Sequence, residues 1–329
     1  RIVMVLLDTA MRSFQVPAET RTISPSVDAS IAAWIFSQSA GTFHVSPSTL
    51  ISPNIRKCCM GETIQLIQPH SKSTAVFLYC TKKHWYHANM DTVRIAAWSG
   101  PRNISTAMLR SWENRPDTVV CDEPFYAYYL QQTGLEHPGR NEILAHHETC
   151  SDATIASLLE PKDSRVFYQK HMAHHMLPGI EMSWVSRMVN IFLIRDPRDM
   201  LTSLIHQIPN PSIEETGLPQ QLALFHLMQE QGSAPIVLDS KDILLNPKIV
   251  LSALCNKLSI PFFDEMLHWP QGTRETDGIW APHWYSSVEA STGFVPWKTK
   301  GIEVPARLET MCLECEDIYK QLRAHKMTV

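Results

Sequence analysis

The sequence has no apolar run long enough to cross a membrane. Its longest runs, such as Ile2–Leu7, fall far short of the roughly 20 residues that a spanning helix needs. After Arg1 we do not find the basic segment, long apolar core and cleavage site that make up a secretory signal in that order, so we expect no such signal. The formal net charge is -4, so the chain as a whole has no excess of positive charge that would attract nucleic acid. Any phosphate binding must therefore be local, and we expect no nucleic-acid partner.

The cysteines are too sparse for a disulfide framework. There are eight in 329 residues, and the one CxxC, formed by Cys312 and Cys315, has no second pair at zinc-ribbon spacing. This CxxC also falls in a helical pattern, where a three-residue spacing is ordinary. We therefore expect reduced cysteines, a cytoplasmic protein and no metal.

Residues 1–92 lack a regular pattern. Ser, Thr and Pro are scattered through Phe14–Pro53, and no amphipathic period holds over a full window. Ile2–Leu7 and Ala75–Cys80 are typical of short strands. We interpret residues 1–92 as an unassigned N-terminal extension that is variable or partly disordered.

From residue 93 onward, five short apolar segments alternate with helical patterns. This alternation predicts an α/β domain over residues 93–329, with a parallel sheet covered on both faces and right-handed crossovers. The polar segment Gly134–Glu148 is predicted to be a surface connection. The five predicted strands are Arg94–Trp98, Thr118–Cys121, Arg165–Lys170, Asn190–Ile194 and Pro235–Asp239.

A tight loop follows the first predicted strand, and a helix follows the loop. Gly100, Pro101 and Asn103 indicate the turn, and Arg102 adds a planar fork of donors suited to phosphate. The helix opens on Ser105 and Thr106, where unpaired N–H groups and the helix dipole favour an anion. The alternative is a turn that binds nothing, as many strand-to-helix turns do.

This loop is not a Walker A motif. When the motif is aligned to start at Gly100, its required Gly, Lys and Ser or Thr fall on Ser105, Thr106 and Ala107. No lysine is therefore placed to hold a triphosphate. This counts against an ATPase or a kinase, although a nucleotide or small-molecule kinase of similar fold remains the first alternative.

A second basic motif follows the fourth predicted strand. It reads Arg195-Asp196-Pro197-Arg198-Asp199, and Ser203 lies eight positions after Arg195. With this pair of sites the chain resembles the sulfotransferases that use 3′-phosphoadenosine 5′-phosphosulfate (PAPS). The resemblance covers about residues 93–329 and includes the segment Ile236–Phe262. Within the family, the chain is most similar to a bacterial and plant subgroup of sulfotransferase-like proteins.

The resemblance implies a fold, a co-substrate and two groups of binding residues. The fold is a P-loop-type, three-layer α/β structure with a central sheet of roughly five parallel strands. Arg195 and Ser203 would hold the 3′-phosphate of PAPS. The 5′-phosphosulfate site would be formed by Gly100, Arg102, Asn103, Ser105 and Thr106.

The chain departs from the family at the 5′ loop. Asn103 and Ile104 replace the family's Ser and Gly, and Ile resists the backbone geometry that Gly allows. We therefore expect this loop to turn differently and to use Gly100 for the turn.

Two kinds of side chain could serve as the base. In family members with an acidic base, a Glu lies 21 residues beyond the loop's basic residue, and Glu123 stands at that distance from Arg102. The alternative is that Glu123 orients the Tyr126–Tyr129 segment or pairs with Arg102. Other members use a His, for which His171 is the foremost choice, with His174 and His175 nearby. These histidines could also suggest a metal, but no carboxylate or Cys completes a ligand set nearby.

The sequence therefore predicts an enzyme that moves a sulfuryl group from PAPS to a hydroxyl of a small-molecule acceptor. Arg102 would neutralise the leaving phosphate, helped by Thr106. The aromatic segment Trp269–Trp297 is predicted to form an acceptor pocket or lid, or to pack on the sheet. A non-catalytic nucleotide-binding protein is the second alternative, and a homo-oligomer is compatible with the sequence.

Overall fold

A computed structural model describes residues 92–298 and 303–329, together with three short earlier strands. These are β1 (Ile2–Met4), β2 (Gln65–Ile67) and β3 (Phe77–Tyr79), and β1 and β2 each pair antiparallel with β3. β1 and β3 fall inside the two strands predicted for the extension. The rest of that prediction lies outside the described residues. The chain divides into two compact units, Arg1–Tyr86 and His87–Val329.

The second unit is built on a sheet of five parallel strands, which confirms the predicted α/β fold. The order of the strands across the sheet is β5-β6-β4-β7-β8. Each strand overlaps one of the five predicted segments. The strands are β4 (Val93–Ser99), β5 (Thr118–Asp122), β6 (Val166–Met172), β7 (Val189–Ile194) and β8 (Ile236–Asp239).

Helices connect the strands of the sheet and continue after the last of them. They are α1 (Ser105–Glu113), α2 (Tyr126–Thr133), α3 (Arg140–His146), α4 (Ser151–Leu159), α5 (Pro197–Leu204), α6 (Leu218–Glu230), α7 (Ser240–Leu245), α8 (Pro247–Lys257), α9 (Ala281–Trp284), α10 (Ser286–Glu289) and α11 (Glu309–Arg323). Within the described residues, no helix is both long and apolar enough to span a membrane.

The polar segment Gly134–Glu148 is not only a connection, because it contains α3. One residue of this helix, Ile143, is fully buried against an aromatic cluster that includes Tyr126 and Trp280. A single buried side chain in a polar helix gives little periodic signal, so the sequence pattern did not reveal it.

Alternate residues of the central strand β4 face two separate cores. Ile95 and Ala97 pack with residues of α1 and α8, whereas Ala96 and Trp98 pack with residues of α6 and α11. This is the two-residue alternation of a strand buried on both faces. The sheet is therefore the middle of three layers, as the sequence predicted.

The carboxyl end of β4 lies where the chain changes direction across the sheet. After β4 the chain builds β5 and β6 on one side and then β7 and β8 on the other. Ser99 at the end of β4 is in register with Met172 of β6 and with Leu193 of β7. Ligands of open parallel sheets bind at such a switch point.

Candidate active site

The loop after β4 turns at non-glycine residues. Arg102 has φ 57° and Ile104 has φ 38°, both in the left-handed region, whereas the φ of Gly100 is not positive. The expected turn at Gly100 is therefore wrong. Ile104 adopts the left-handed conformation although its branched side chain disfavours it by roughly 1–2 kcal/mol. Its side chain packs against the core on the α1 face of the sheet, which offsets this cost.

Gly100 is needed for a close approach instead. A Cβ at this position would lie 2.2 Å from the carbonyl oxygen of Thr216. We expect Gly100→Ala to lower the free energy of unfolding by about 1–3 kcal/mol, the usual cost of overpacking. Urea unfolding would measure this. Unchanged stability would show that the loop can move away from Thr216.

The two predicted anion sites meet in one place. Arg102 Nε donates to Ser203 Oγ at 3.0 Å, and Arg195 Nη1 donates to the backbone oxygen of Arg102 at 2.5 Å. These contacts form because β4 and β7 are neighbours, so the loops after them lie side by side. We call the group of Arg102, Arg195 and Ser203 the basic end of the site.

The basic end holds its positive charges close together. Burial lowers the pKa of both Arg102 and Arg195, and the charge of Arg102 lowers the pKa of Arg195 further. Asp199 opposes this effect on Arg195. Both guanidinium groups stay charged at neutral pH, and the pair repels itself in the absence of an anion. This favours the binding of an anion between them.

The remaining loop residues have different roles. Asn103 is buried, and its amide nitrogen donates to the backbone oxygen of Leu193 at 2.5 Å, which ties the loop to the end of β7. Ser105 and Thr106 line the cavity at the start of α1. Met108 donates its N–H to Ile104. The N–H groups before it lack partners within the helix and are available to an anion.

The basic end opens into a cavity of about 500 Å³ at the carboxyl edge of the sheet. Trp297 and Lys298 also line the cavity. A further part of the lining is a set of rings that we call the aromatic wall. The aromatic wall consists of Tyr126, Tyr129, His137, His174, His175 and Trp284.

Glu123 lies in the same cavity and pairs with a lysine. Its Oε1 accepts from Lys170 Nζ at 2.5 Å, and the hydroxyl of Tyr285 lies 3.3 Å from the same oxygen. Lys170 Nζ also donates to Asp122 Oδ1 at 2.8 Å. The partner of Glu123 is thus Lys170 and not Arg102. Glu123 holds φ 41°, a strained value of the kind that clusters at functional sites.

The buried charges in this group shift each other's pKa values. Burial raises the pKa of Glu123, the neighbouring charge of Asp122 raises it further, and Lys170 opposes both. Burial lowers the pKa of Lys170, but the two carboxylates outweigh burial, so the net shift is upward. Lys170 therefore stays charged at neutral pH and favours the ionised form of Glu123.

The structure does not bring His171 to the cavity. β6 continues to Met172 instead of ending at Lys170, because it pairs with β4 as far as Ser99. Lys170 and Met172 line the cavity, and His171 points to the opposite face of the sheet. There it stacks on Trp98 at 4.5 Å and is 1% exposed. Burial lowers its pKa to about 3, so His171 is an uncharged core residue.

His174 and His175 do reach the cavity, as part of the aromatic wall. They follow β6 in a short 3-10 turn, Ala173–His175. The ring of His175 stacks on those of Tyr126 at 4.8 Å and Tyr129 at 4.7 Å. Burial lowers the pKa of His174 to about 3 and that of His175 well below its ordinary value. Both rings are uncharged at neutral pH.

Lys170 is the site residue that the sequence reasoning missed. It stands in a strand in which all seven residues are buried. A lysine in such a strand requires a partner, and Asp122 and Glu123 directly follow the predicted strand Thr118–Cys121. That combination was the available signal.

Comparisons with known proteins agree with this architecture. The family model described as Sulfotransferase domain matches residues 93–309. The sulfotransferase domain from the Synechococcus PCC 7002 olefin synthase has 16% identity and a TM-score of 0.50, covering 72% of this chain and 98% of that one. At this identity the likeness shows the fold alone.

Two curated relatives come from Arabidopsis thaliana. Branched-chain-amino-acid aminotransferase-like protein 1 is 34% identical over 232 residues, which is 70% of this chain and 42% of that protein. Branched-chain-amino-acid aminotransferase-like protein 2 is 32% identical over 232 residues, covering 70% of this chain and 41% of its own length. The chain thus spans less than half the length of either relative. Because the family model matches most of the domain built on the five-stranded sheet, the chain belongs to the sulfotransferase domain family.

Proposed function

We propose that this chain transfers a sulfuryl group from PAPS to a hydroxyl of a small-molecule acceptor. The observation that carries the proposal is the juxtaposition of a carboxylate, Glu123, with the basic end in one cavity. Sulfuryl transfer needs a base for the acceptor's proton and cations for the leaving phosphate. The cavity offers both, at the edge of the sheet where ligands of this fold class bind.

The basic end would bind the phosphates of the nucleotide. Arg195 and Ser203 would hold the 3′-phosphate, whereas Arg102, Ser105 and Thr106 would hold the 5′ group at the start of α1. Trp297 would contact the nucleoside, since it lines the same cavity and its indole N–H lies 3.5 Å from Oδ2 of Asp199, a residue of the motif proposed to hold the 3′-phosphate. Arg102 now donates to Ser203, so binding would exchange this contact for phosphate oxygens.

Glu123 would act as the base. Its carboxylate would take the proton of the acceptor hydroxyl while the hydroxyl oxygen forms a bond to sulfur. The bond between sulfur and the 5′-phosphate oxygen breaks in the same step, and its electron pair leaves with the phosphate. Arg102 and the N–H groups of α1 would stabilise the charge on that oxygen. Lys170 would keep Glu123 ionised and hold its carboxylate in place.

Calorimetric titration with 3′,5′-adenosine bisphosphate tests the nucleotide site. We expect the bisphosphate to bind and ATP to bind more weakly. Arg195→Ala should weaken the binding of the bisphosphate by about 1.5–3 kcal/mol, which is the contribution of a charge-assisted hydrogen bond.

Arg198→Ala is the matched control for Arg195→Ala. Arg198 belongs to the same motif but lies on the surface, where it pairs with Glu309 and Glu316. This variant should bind the bisphosphate as the parent chain does. Binding of ATP alone would favour a kinase, and binding of neither nucleotide would contradict the proposal. Bisphosphate binding without turnover of any hydroxyl compound would favour a non-catalytic nucleotide-binding protein.

A further inference from the structure

The hydroxyl of Tyr285 lies at the centre of the buried charges around Glu123. It accepts from Lys170 Nζ at 2.6 Å and from the indole N–H of Trp280 at 3.0 Å. It lies 2.6 Å from Asp122 Oδ2 and 3.3 Å from Glu123 Oε1. A hydroxyl has a single proton to donate, and the shorter contact directs that proton to Asp122. Four groups therefore meet at one oxygen atom, on a side chain that is 4% exposed.

Lys170 uses every donor of its ammonium group here. An ammonium group carries three N–H bonds. The three contacts are Asp122 Oδ1 at 2.8 Å, Glu123 Oε1 at 2.5 Å and the hydroxyl of Tyr285. The ammonium nitrogen also lies 4.8 Å from the centroid of the Tyr285 ring. Because loss of the hydroxyl would leave one buried donor unpaired, Tyr285 helps to fix the position of Lys170.

The two oxygens of Glu123 differ in their contacts. Oε1 is held by Lys170 at 2.5 Å. Oε2 makes no hydrogen bond among the residues that the structure describes, and it is not fully buried. Since Glu123 lines the cavity, Oε2 is the oxygen that a bound molecule can reach. The contacts at Oε1 thus decide which oxygen of the carboxylate is presented to the cavity.

The segment that carries Tyr285 is anchored at a second point. Tyr285 lies between α9 and α10. Earlier in the same segment, Asp277 Oδ2 pairs with Arg110 Nη2 of α1 at 2.7 Å, and both side chains are almost fully buried. Trp280, which donates to the Tyr285 hydroxyl, is 1% exposed. These contacts hold the hydroxyl in place beside the charged group.

We propose that Tyr285 is a positioning residue for the base: its hydroxyl holds Lys170 on Oε1 of Glu123, so that Oε2 faces the acceptor. The hydroxyl also donates to Asp122, which would otherwise compete with Glu123 for the same ammonium group. The inference rests on the proposed function only for the reaction that Glu123 serves, since the ionisation of Glu123 can be measured without turnover.

The groups that face Glu123 give this role a measurable direction. They are Asp122 of β5, Lys170 of β6, Tyr285, and Tyr126 of α2, whose pKa is raised by burial and by the charge of Glu123. Burial raises the pKa of Glu123 and Asp122 adds to this, whereas Lys170 and the Tyr285 hydroxyl lower it. Removal of the hydroxyl should therefore raise the pKa of Glu123, and removal of the Asp122 charge should lower it.

Tyr285→Phe and Asp122→Asn test the inference as a pair with opposite expected shifts. Phenylalanine keeps the ring beside Lys170 and removes only the hydroxyl. NMR of the full chain, labelled with ¹³C at the glutamate side-chain carboxyls, measures the pKa of Glu123 without substrate, and Glu123→Gln identifies its signal. We expect this pKa to rise in Tyr285→Phe and to fall in Asp122→Asn. A general loosening of the group would instead admit water and lower the pKa in both variants.

Steady-state kinetics give a second readout. We expect Tyr285→Phe to lower kcat by about three- to tenfold, the loss of one net hydrogen bond, and to move the acidic limb of kcat/KM to higher pH. Affinity for 3′,5′-adenosine bisphosphate should not change. Trp280→Phe is the matched control, because it removes the other donor to the same hydroxyl. It should leave the acidic limb and the pKa of Glu123 in place.

Two results would overturn the inference: an unchanged or lowered pKa of Glu123 in Tyr285→Phe, or an equal rise in Trp280→Phe. If circular dichroism shows that Tyr285→Phe does not fold, the double variant with Asp122→Asn removes the carboxylate left unpaired. Its Glu123 pKa should then exceed that of Asp122→Asn alone, and an equal value would contradict the inference.

The two proposals can fail separately. The expected pKa shifts in a chain that transfers no sulfuryl group would contradict the proposed function and leave the role of Tyr285 at Glu123 standing. Sulfuryl transfer with no shift in Tyr285→Phe would have the opposite meaning.

Discussion

Glu123→Gln is expected to lower kcat/KM for sulfuryl transfer by about 10²- to 10⁴-fold, the usual contribution of a general base. Glutamine keeps the size of the side chain and one oxygen for Lys170, but it cannot accept the acceptor's proton. The affinity for 3′,5′-adenosine bisphosphate should not change, because the basic end lies on other loops. Steady-state kinetics and calorimetry on the same preparation would measure both quantities.

Asp122→Asn is the matched control for this variant. Asp122 bonds to the same Lys170, but only Glu123 of the two carboxylates lines the cavity. We therefore expect a much smaller loss of activity from Asp122→Asn than from Glu123→Gln. Equal losses in the two variants would mean that the carboxylates act by holding Lys170, and the assignment of Glu123 as base would be abandoned.

The pH profile gives a second readout on the same residue. A base must be ionised, so activity is lost as pH falls through the pKa of Glu123. Burial raises that pKa above the usual range of a glutamate. The acidic limb of kcat/KM should therefore lie at higher pH than for an exposed glutamate, and Glu123→Gln should remove this limb.

The sheet was predictable because its strands are apolar and short and are separated by helical patterns. Each of the five predicted segments overlaps a strand of the structure, with ends that differ by up to two residues. The error at β6 had the largest consequence. Its last two residues, His171 and Met172, pair with β4, and the sequence of β6 alone does not show where its partner ends. Because side chains alternate along a strand, this extension moved His171 to the core and left Lys170 at the site.

The basic end could be predicted residue by residue, but its contacts could not. Arg102 and Arg195 each lie in a recognisable loop. The two loops come together because β4 and β7 are neighbours in the sheet, and that pairing belongs to the tertiary structure and not to either loop's sequence. The left-handed conformation of Ile104 was unforeseen for another reason. Local preference argues against it, and the packing of its side chain on the core overrides that preference. Gly100 was predicted to serve the turn, whereas its role is to let Thr216 approach.

Lys170→Met is expected to lower the free energy of unfolding by about 3–5 kcal/mol, because it leaves two buried carboxylates without their cation. The side chains of Lys170 and Asp122 are each 1% exposed, and that of Glu123 is 11% exposed. Methionine fits the apolar stem but offers no charge, so both carboxyl groups would have to protonate or draw in water. Urea unfolding at neutral pH measures the loss, and the variant should recover stability as pH falls and the carboxylates protonate.

A neutral version of the whole group shows what the ion pairs are for. The triple variant, which combines Lys170→Met with Asp122→Asn and Glu123→Gln, removes all three charges. We expect this variant to regain most of the stability that Lys170→Met loses, because a buried ion group contributes little net stability compared with a neutral replacement. It should nevertheless stay inactive. A stable triple variant would mean that the fold does not require the charge of Lys170, whereas its loss of activity would follow from Glu123→Gln itself. If the triple variant stays as unstable as Lys170→Met, the lysine is needed for the packing of β6, and its role at Glu123 would be secondary.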